Sequence, residues 1–136
     1  MENKKYDSLP FRDIDQKILT NKGDRVRSKT EKILVDKFYN LGIEYKYECP
    51  ISIAGEVKYP DFTFFDFKTG GEIYWEHFGM MDDDDYSKNA LKKLNFYQRN
   101  NFIVGKNLIV TFESSKSYVD YEVVDILINE YLINNN

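Results

Sequence analysis

The chain has one cysteine, one histidine and three prolines in 136 residues. No apolar run approaches the roughly 18 residues that a membrane-spanning helix needs. Cys49 has no second cysteine with which to close a disulfide or share a zinc ion at the usual spacing, so both frameworks are excluded, and it reads as a small buried apolar side chain. The start Met1-Glu2-Asn3-Lys4-Lys5 lacks the apolar stretch of a signal peptide, which predicts a cytoplasmic protein with no membrane partner. Positive charge is short as well: 19 Lys and Arg against 23 Asp and Glu leave a net −4. That balance argues mildly against binding nucleic acid by charge alone, but it does not exclude an enzyme whose carboxylates are neutralised by metal ions, provided basic residues flank its groove. Four of the acids, Asp82 to Asp85, are consecutive and read as a solvated helix start, where negative charge favours the helix dipole. What the chain holds in quantity is apolar and aromatic residues, 42% and 16%, enough for one globular core.

Residues 1–25 carry Pro10, Gly23 and many charges without sustained periodicity, and read as an arm or loosely packed lead-in to a domain over 26–136. Ser28-Lys29-Thr30-Glu31 fits a capping box, Ile33, Leu34, Phe38 and Leu41 make an apolar stripe, and Gly42 is a natural stop, so the first helix lies between. Ile43, Tyr45, Tyr47 and Cys49 alternate with charged residues, the period of a half-buried strand. Ile51–Ile53 and Val57–Tyr59 read as a hairpin about Ala54-Gly55-Glu56. A second hairpin joins Asp61–Phe67 to Glu72–Phe78 through Lys68-Thr69-Gly70-Gly71. Tyr86, Ala90, Leu94 and Tyr97 then recur at helical spacing, and Leu108–Phe112, nearly all apolar, is predicted as a central strand. Asp120 caps a last helix. This order predicts an α/β sandwich whose mixed sheet contains one parallel pairing, because a strand-helix-strand crossover near the end requires it.

The hairpin about Lys68–Gly71 places Asp61 within a residue or so of directly opposite Glu76. Opposed residues share a face of the sheet, and two carboxylates that close repel unless a cation lies between them. A hard divalent ion, Mg²⁺ or Mn²⁺, prefers carboxylate oxygens and can activate a phosphodiester toward attack by water. Aspartate is disfavoured in the Phe-rich strand that Asp61 opens, and Glu76 sits among Ile73, Tyr74, Trp75, His77 and Phe78, where an unpaired carboxylate is costly.

On Arg27-Ser28-Lys29-Thr30-Glu31, Pro60-Asp61 and Trp75-Glu76-His77-Phe78-Gly79, the sequence resembles the PD-(D/E)XK nuclease superfamily over roughly residues 26–132. The resemblance implies a restriction-endonuclease-like fold, a mixed β-sheet flanked by helices with an αβββαβ core. It also implies a divalent-metal-dependent endonuclease hydrolysing DNA, with Glu31, Asp61 and Glu76 as metal ligands, and it is compatible with a homodimer. The motif lysine should follow Glu76 by two residues, and Phe78 stands there. Three readings follow. The basic group has moved onto the next helix, as Lys93 or, second, Lys92. His77 takes its role, although strand alternation turns His77 to the face opposite Glu76. Or the site is dead, and the chain is a catalytically inactive nucleic-acid- or protein-binding module of the same fold.

Each candidate also has a purely structural reading. Glu31 can cap its helix, His77 can be a packed histidine, and Lys93 can be a solvated helix charge. Tyr86, Phe96 and Tyr97 could stack on bases, but at helical spacing they fit the core better. Lys88, Lys92 and Arg99 are candidates for phosphate contacts on DNA, or else belong to a solvated helix face.

Overall fold

The computed structural model describes residues 6–133. Its N-terminal segment is docked on the domain. Strands β1 (Ile18–Leu19) and β2 (Arg25–Val26) pair antiparallel, and the Phe11 ring lies under the Arg25 and Arg27 guanidinium groups, 4.3 and 4.2 Å from its centroid. Arg27 also donates to the carbonyls of Leu9 and Pro10, and the Tyr6 hydroxyl donates to the Tyr47 carbonyl at 2.8 Å. No run of alternating apolar residues announces this docking, because it rests on cation–π contacts and single hydrogen bonds.

Helix α1 (Lys29–Asn40) begins where the Ser28 hydroxyl accepts the Glu31 amide. It ends at Gly42, whose φ of +70° lets Gly42 and Ile43 donate back to Tyr39 and Phe38. Strand β3 (Lys46–Tyr47) follows, then the hairpin β4 (Ile51–Ile53) and β5 (Glu56–Lys58), turned on Ala54 and Gly55 at φ +50° and +80°. β6 (Phe62–Phe65) and β7 (Glu72–Phe78) form the second hairpin, closed by Asp66, whose carboxylate accepts from the Lys68 amide and the Thr69 hydroxyl. Helix α2 (Asp84–Arg99) starts from an Asp83 cap, β8 (Leu108–Phe112) follows, and α3 (Tyr121–Tyr131) is capped by Asp120.

The chain is thus a mixed α/β fold around a four-stranded sheet in the order β3-β6-β7-β8, antiparallel except for the parallel β7–β8 pair. β8 lies at the edge of this sheet rather than centrally. Its apolar run has another cause, since Leu108 packs toward α2 and Ile109 toward α1 and α3. The main core, with Leu34, Phe38, Phe62, Phe64, Trp75, Val124 and Ile128, fills the α1/α3 face, while Tyr74, Tyr97 and Leu108 form a smaller cluster on the α2 face. Among the described residues no helix is long and apolar enough to cross a membrane.

Candidate active site

The β6–β7 ladder pairs Phe62 with Trp75, so Asp61, one residue before the strand, stands opposite Glu76. Two backbone amides hold this end of the hairpin. The Glu48 amide donates to the Asp61 carbonyl at 3.0 Å, and the His77 amide donates to Asp61 Oδ2 at 2.7 Å. Glu76, only 1% exposed, receives two donors from α2 on Oε2: Lys93 Nζ at 2.9 Å and the Tyr97 hydroxyl at 2.6 Å. Asp61, Glu76 and Lys93 line a cavity of ≈ 190 Å³ between β7 and α2, with His77, Phe78, Tyr86, Asn89 and Ala90 completing its walls.

The charges in this cavity act on one another. Burial, then the charges of Glu76 and Glu31, hold the Asp61 carboxyl well above the usual carboxylate range, against the pull of the His77 amide and Lys93. Burial alone would lower the Lys93 ammonium, but its contact with Glu76 and the nearby Asp61 outweigh this and raise it. A carboxyl whose ionisation is opposed by burial and then by a facing acid is a group that a cation would relieve.

Glu31 has other partners. Its Oε1 accepts from the Arg27 amide at 2.9 Å and the Tyr47 hydroxyl at 2.8 Å, which makes it a cap reaching back past Ser28. It is 7% exposed, does not border the cavity, and acts on Asp61 through charge. Burial raises its own carboxyl, opposed by those two hydrogen bonds. Among the described residues no three Asp, Glu, His or Cys side chains are grouped so as to hold an ion by themselves.

His77 turns its ring to the α1 side of the sheet. Nε2 lies 2.6 Å from Glu113 Oε1 and Nδ1 lies 2.8 Å from Thr111 Oγ1, which also accepts from the Trp75 indole at 3.1 Å. Burial lowers the imidazole and Glu113 opposes the shift. The neutral tautomer with a proton on Nε2 satisfies all three partners, since Nδ1 then accepts the Thr111 hydroxyl. Only the backbone of His77 serves Asp61. Lys88, Lys92 and Arg99 are exposed on the outer face of α2, one side of a 3.6-residue helix away from the cavity.

The structure therefore brings Asp61, Glu76 and Lys93 together and leaves Glu31, the His77 ring and the three outer cations apart from them. The sequence favoured the core over base stacking for Tyr86 and Tyr97; Tyr97 is core and also bonds Glu76, whereas Tyr86 lines the cavity. Their spacing carried the signal, because residues 86, 90, 93 and 97 form one helix stripe that includes the lysine.

No family model matches the chain, and no solved structure matches it. It is 34% identical over 93 residues to an uncharacterized protein of Methanocaldococcus jannaschii. Those residues are 68% of this chain but only 8% of that protein.

Proposed function

We propose that this chain is a divalent-metal-dependent phosphodiesterase domain of restriction-endonuclease-like fold that hydrolyses DNA. The observation that carries the reading is the opposed pair Asp61 and Glu76, with Lys93 at 2.9 Å from the latter, at the wall of one cavity. The donor set suits Mg²⁺ or Mn²⁺. Magnesium keeps most of its waters and is commonly held by one or two carboxylates together with substrate phosphate, so a third protein ligand is not required. Asp61 and Glu76 would hold the ion, which when bound supplies Lewis acidity toward the phosphodiester and the attacking water. Glu31 acts as a buried charge behind Asp61 rather than as a direct ligand. Lys93 fills the role of the motif lysine that Phe78 displaces: it orients Glu76 and sets a positive charge at the cavity where the phosphoryl group becomes more negative. The His77 amide fixes Asp61.

A second reading rests on the same ion pair. Lys93 already supplies a cation to Glu76, and on that basis the fold is a binding module without catalysis. Cleavage of plasmid and single-stranded DNA in Mg²⁺ and Mn²⁺ separates the two. The nuclease reading expects activity in the parent, its loss in Asp61→Ala and Glu76→Ala, a large reduction in Lys93→Ala and a smaller one in His77→Ala. An inactive parent in both metals, with no Mn²⁺ bound by calorimetry, would leave the binding module.

A further inference from the structure

Tyr86 stands in the first turns of α2 and reaches back to the end of β7, where its hydroxyl oxygen accepts the Gly79 amide at 3.0 Å. That bond fixes the oxygen at the cavity wall and leaves the phenolic hydrogen to point elsewhere. Among the described residues it has no acceptor. On the same wall Glu76 Oε2 takes Lys93 and Tyr97, and Asp61 Oδ2 takes the His77 amide. Tyr86 and Lys93 are seven residues apart on one helix face, so their Cα atoms lie roughly 10 Å apart along the axis and bracket the opening. The phenol is held protonated. Burial raises it, Asp61 and Glu76 add to the rise, and the Gly79 amide and Lys93 only partly offset it.

A fixed donor beside two carboxylates and an ammonium calls for a ligand that carries acceptor oxygens and negative charge. Resting on the phosphodiesterase reading, we propose that the Tyr86 hydroxyl donates to a non-bridging oxygen of the phosphoryl group bound between Asp61, Glu76 and Lys93, making Tyr86 a catalytic residue of this site. The hydroxyl keeps its proton throughout, and its part is to bind and orient the phosphoryl group and to stabilise the charge that grows on it.

The probe is thymidine 5′-monophosphate titrated by calorimetry into parent and Tyr86→Phe protein in Mg²⁺, with thymidine as the phosphate-free control. The change removes only the hydroxyl, and with it the acceptor of the Gly79 amide, so thermal melting together with the Mg²⁺ isotherm reports any loss of fold or of the acidic pair. The expected result is phosphate binding weakened about ten-fold, the order of one hydrogen bond to a charged acceptor, with thymidine and Mg²⁺ binding unchanged. In a cleavage assay the same variant loses kcat more than it raises KM. Equal nucleotide binding by parent and Tyr86→Phe, or none by the parent, overturns the assignment to Tyr86. Tyr86-dependent nucleotide binding by a parent that cleaves no DNA upholds the phosphoryl contact and removes the nuclease reading. Asp61-dependent cleavage that Tyr86→Phe does not alter leaves the nuclease reading and removes Tyr86.

Discussion

On the α1/α3 face of the sheet, Phe38 meets Tyr45, Phe62, Phe64 and Trp75, with ring centroids 5.0 to 6.0 Å apart and no charge among them. One residue along β7 from Trp75, the opposite face buries Glu76 under a lysine and a tyrosine. The same strand thus supports two kinds of interior. The first is held by area removed from water and by edge-to-face rings, which are non-directional or weakly directional. The second is held by directional bonds to a charge, and it is stable only while every partner is in place. A face of the first kind serves stability, and a face of the second kind holds groups at reactive geometry at some cost to it.

The comparison is broken most severely at Phe38, which is fully buried. Phe38→Ala should lower unfolding free energy by about 3–5 kcal/mol in urea titrations, since the four surrounding rings cannot collapse into the space. A loss under about 1 kcal/mol would mean that the aromatic face carries less of the fold than its packing implies. Next comes Lys93→Met, which leaves Glu76 buried with only Tyr97 as a partner. Removing one member of a buried pair costs several kcal/mol, but the lysine side chain is 33% exposed, so about 2 kcal/mol is expected. The companion Glu76→Gln, Lys93→Met double variant should recover part of it.

Asp61→Asn should act in the opposite direction. A carboxyl raised in the folded state contributes its stability below its unfolded value, and that contribution is lost as pH rises through the folded value. The metal-free parent should therefore weaken through this group between acid and neutral pH, and the variant should not. At neutral pH Asp61→Asn is expected to be the more stable by about 1 kcal/mol, because the amide carries no charge to bury beside Glu76. The gap should vanish below pH ~4, where the unfolded carboxyl is protonated as well. Denaturant midpoints at stepped pH check this, and a gap that widens toward acid would refute it. The smallest effect belongs to Lys92→Ala, which should change stability by less than about 0.5 kcal/mol because the side chain is exposed on the outer face of α2. A measurable loss of DNA affinity in that variant would extend the site from the cavity to the outside of the helix.

These contrasts explain how far the sequence could be read. Period-two and 3.6-residue patterns report which face a residue takes, and they placed Asp61 opposite Glu76 and turned the His77 ring away from both. Caps at Ser28 and Asp120 and the stop at Gly42 were legible because each satisfies backbone groups locally. Lys93 was legible as the residue bordering the buried stripe of α2. Glu31 was less so, since two hydrogen-bond partners drawn from Arg27 and from β3 decide where its carboxylate goes. The docking of residues 6–26 and the edge position of β8 depend on tertiary contacts that no local pattern encodes. Tyr97 shows that an aromatic residue at helical spacing can be core and still bond a carboxylate of the cavity, while Tyr86 on the same stripe lines the cavity instead.

The short turn closed by Asp66 also bears on how the molecule assembles. Loop-closure entropy grows with loop length, so the β6–β7 hairpin closes at lower cost than the crossover through α2 that delivers Lys93. Asp61 and Glu76 accordingly meet on a chain that has not yet brought up their counter-charge. The repulsion between them is eased in part when the helix docks, which makes docking of α2 the step of folding whose rate should respond to ionic strength.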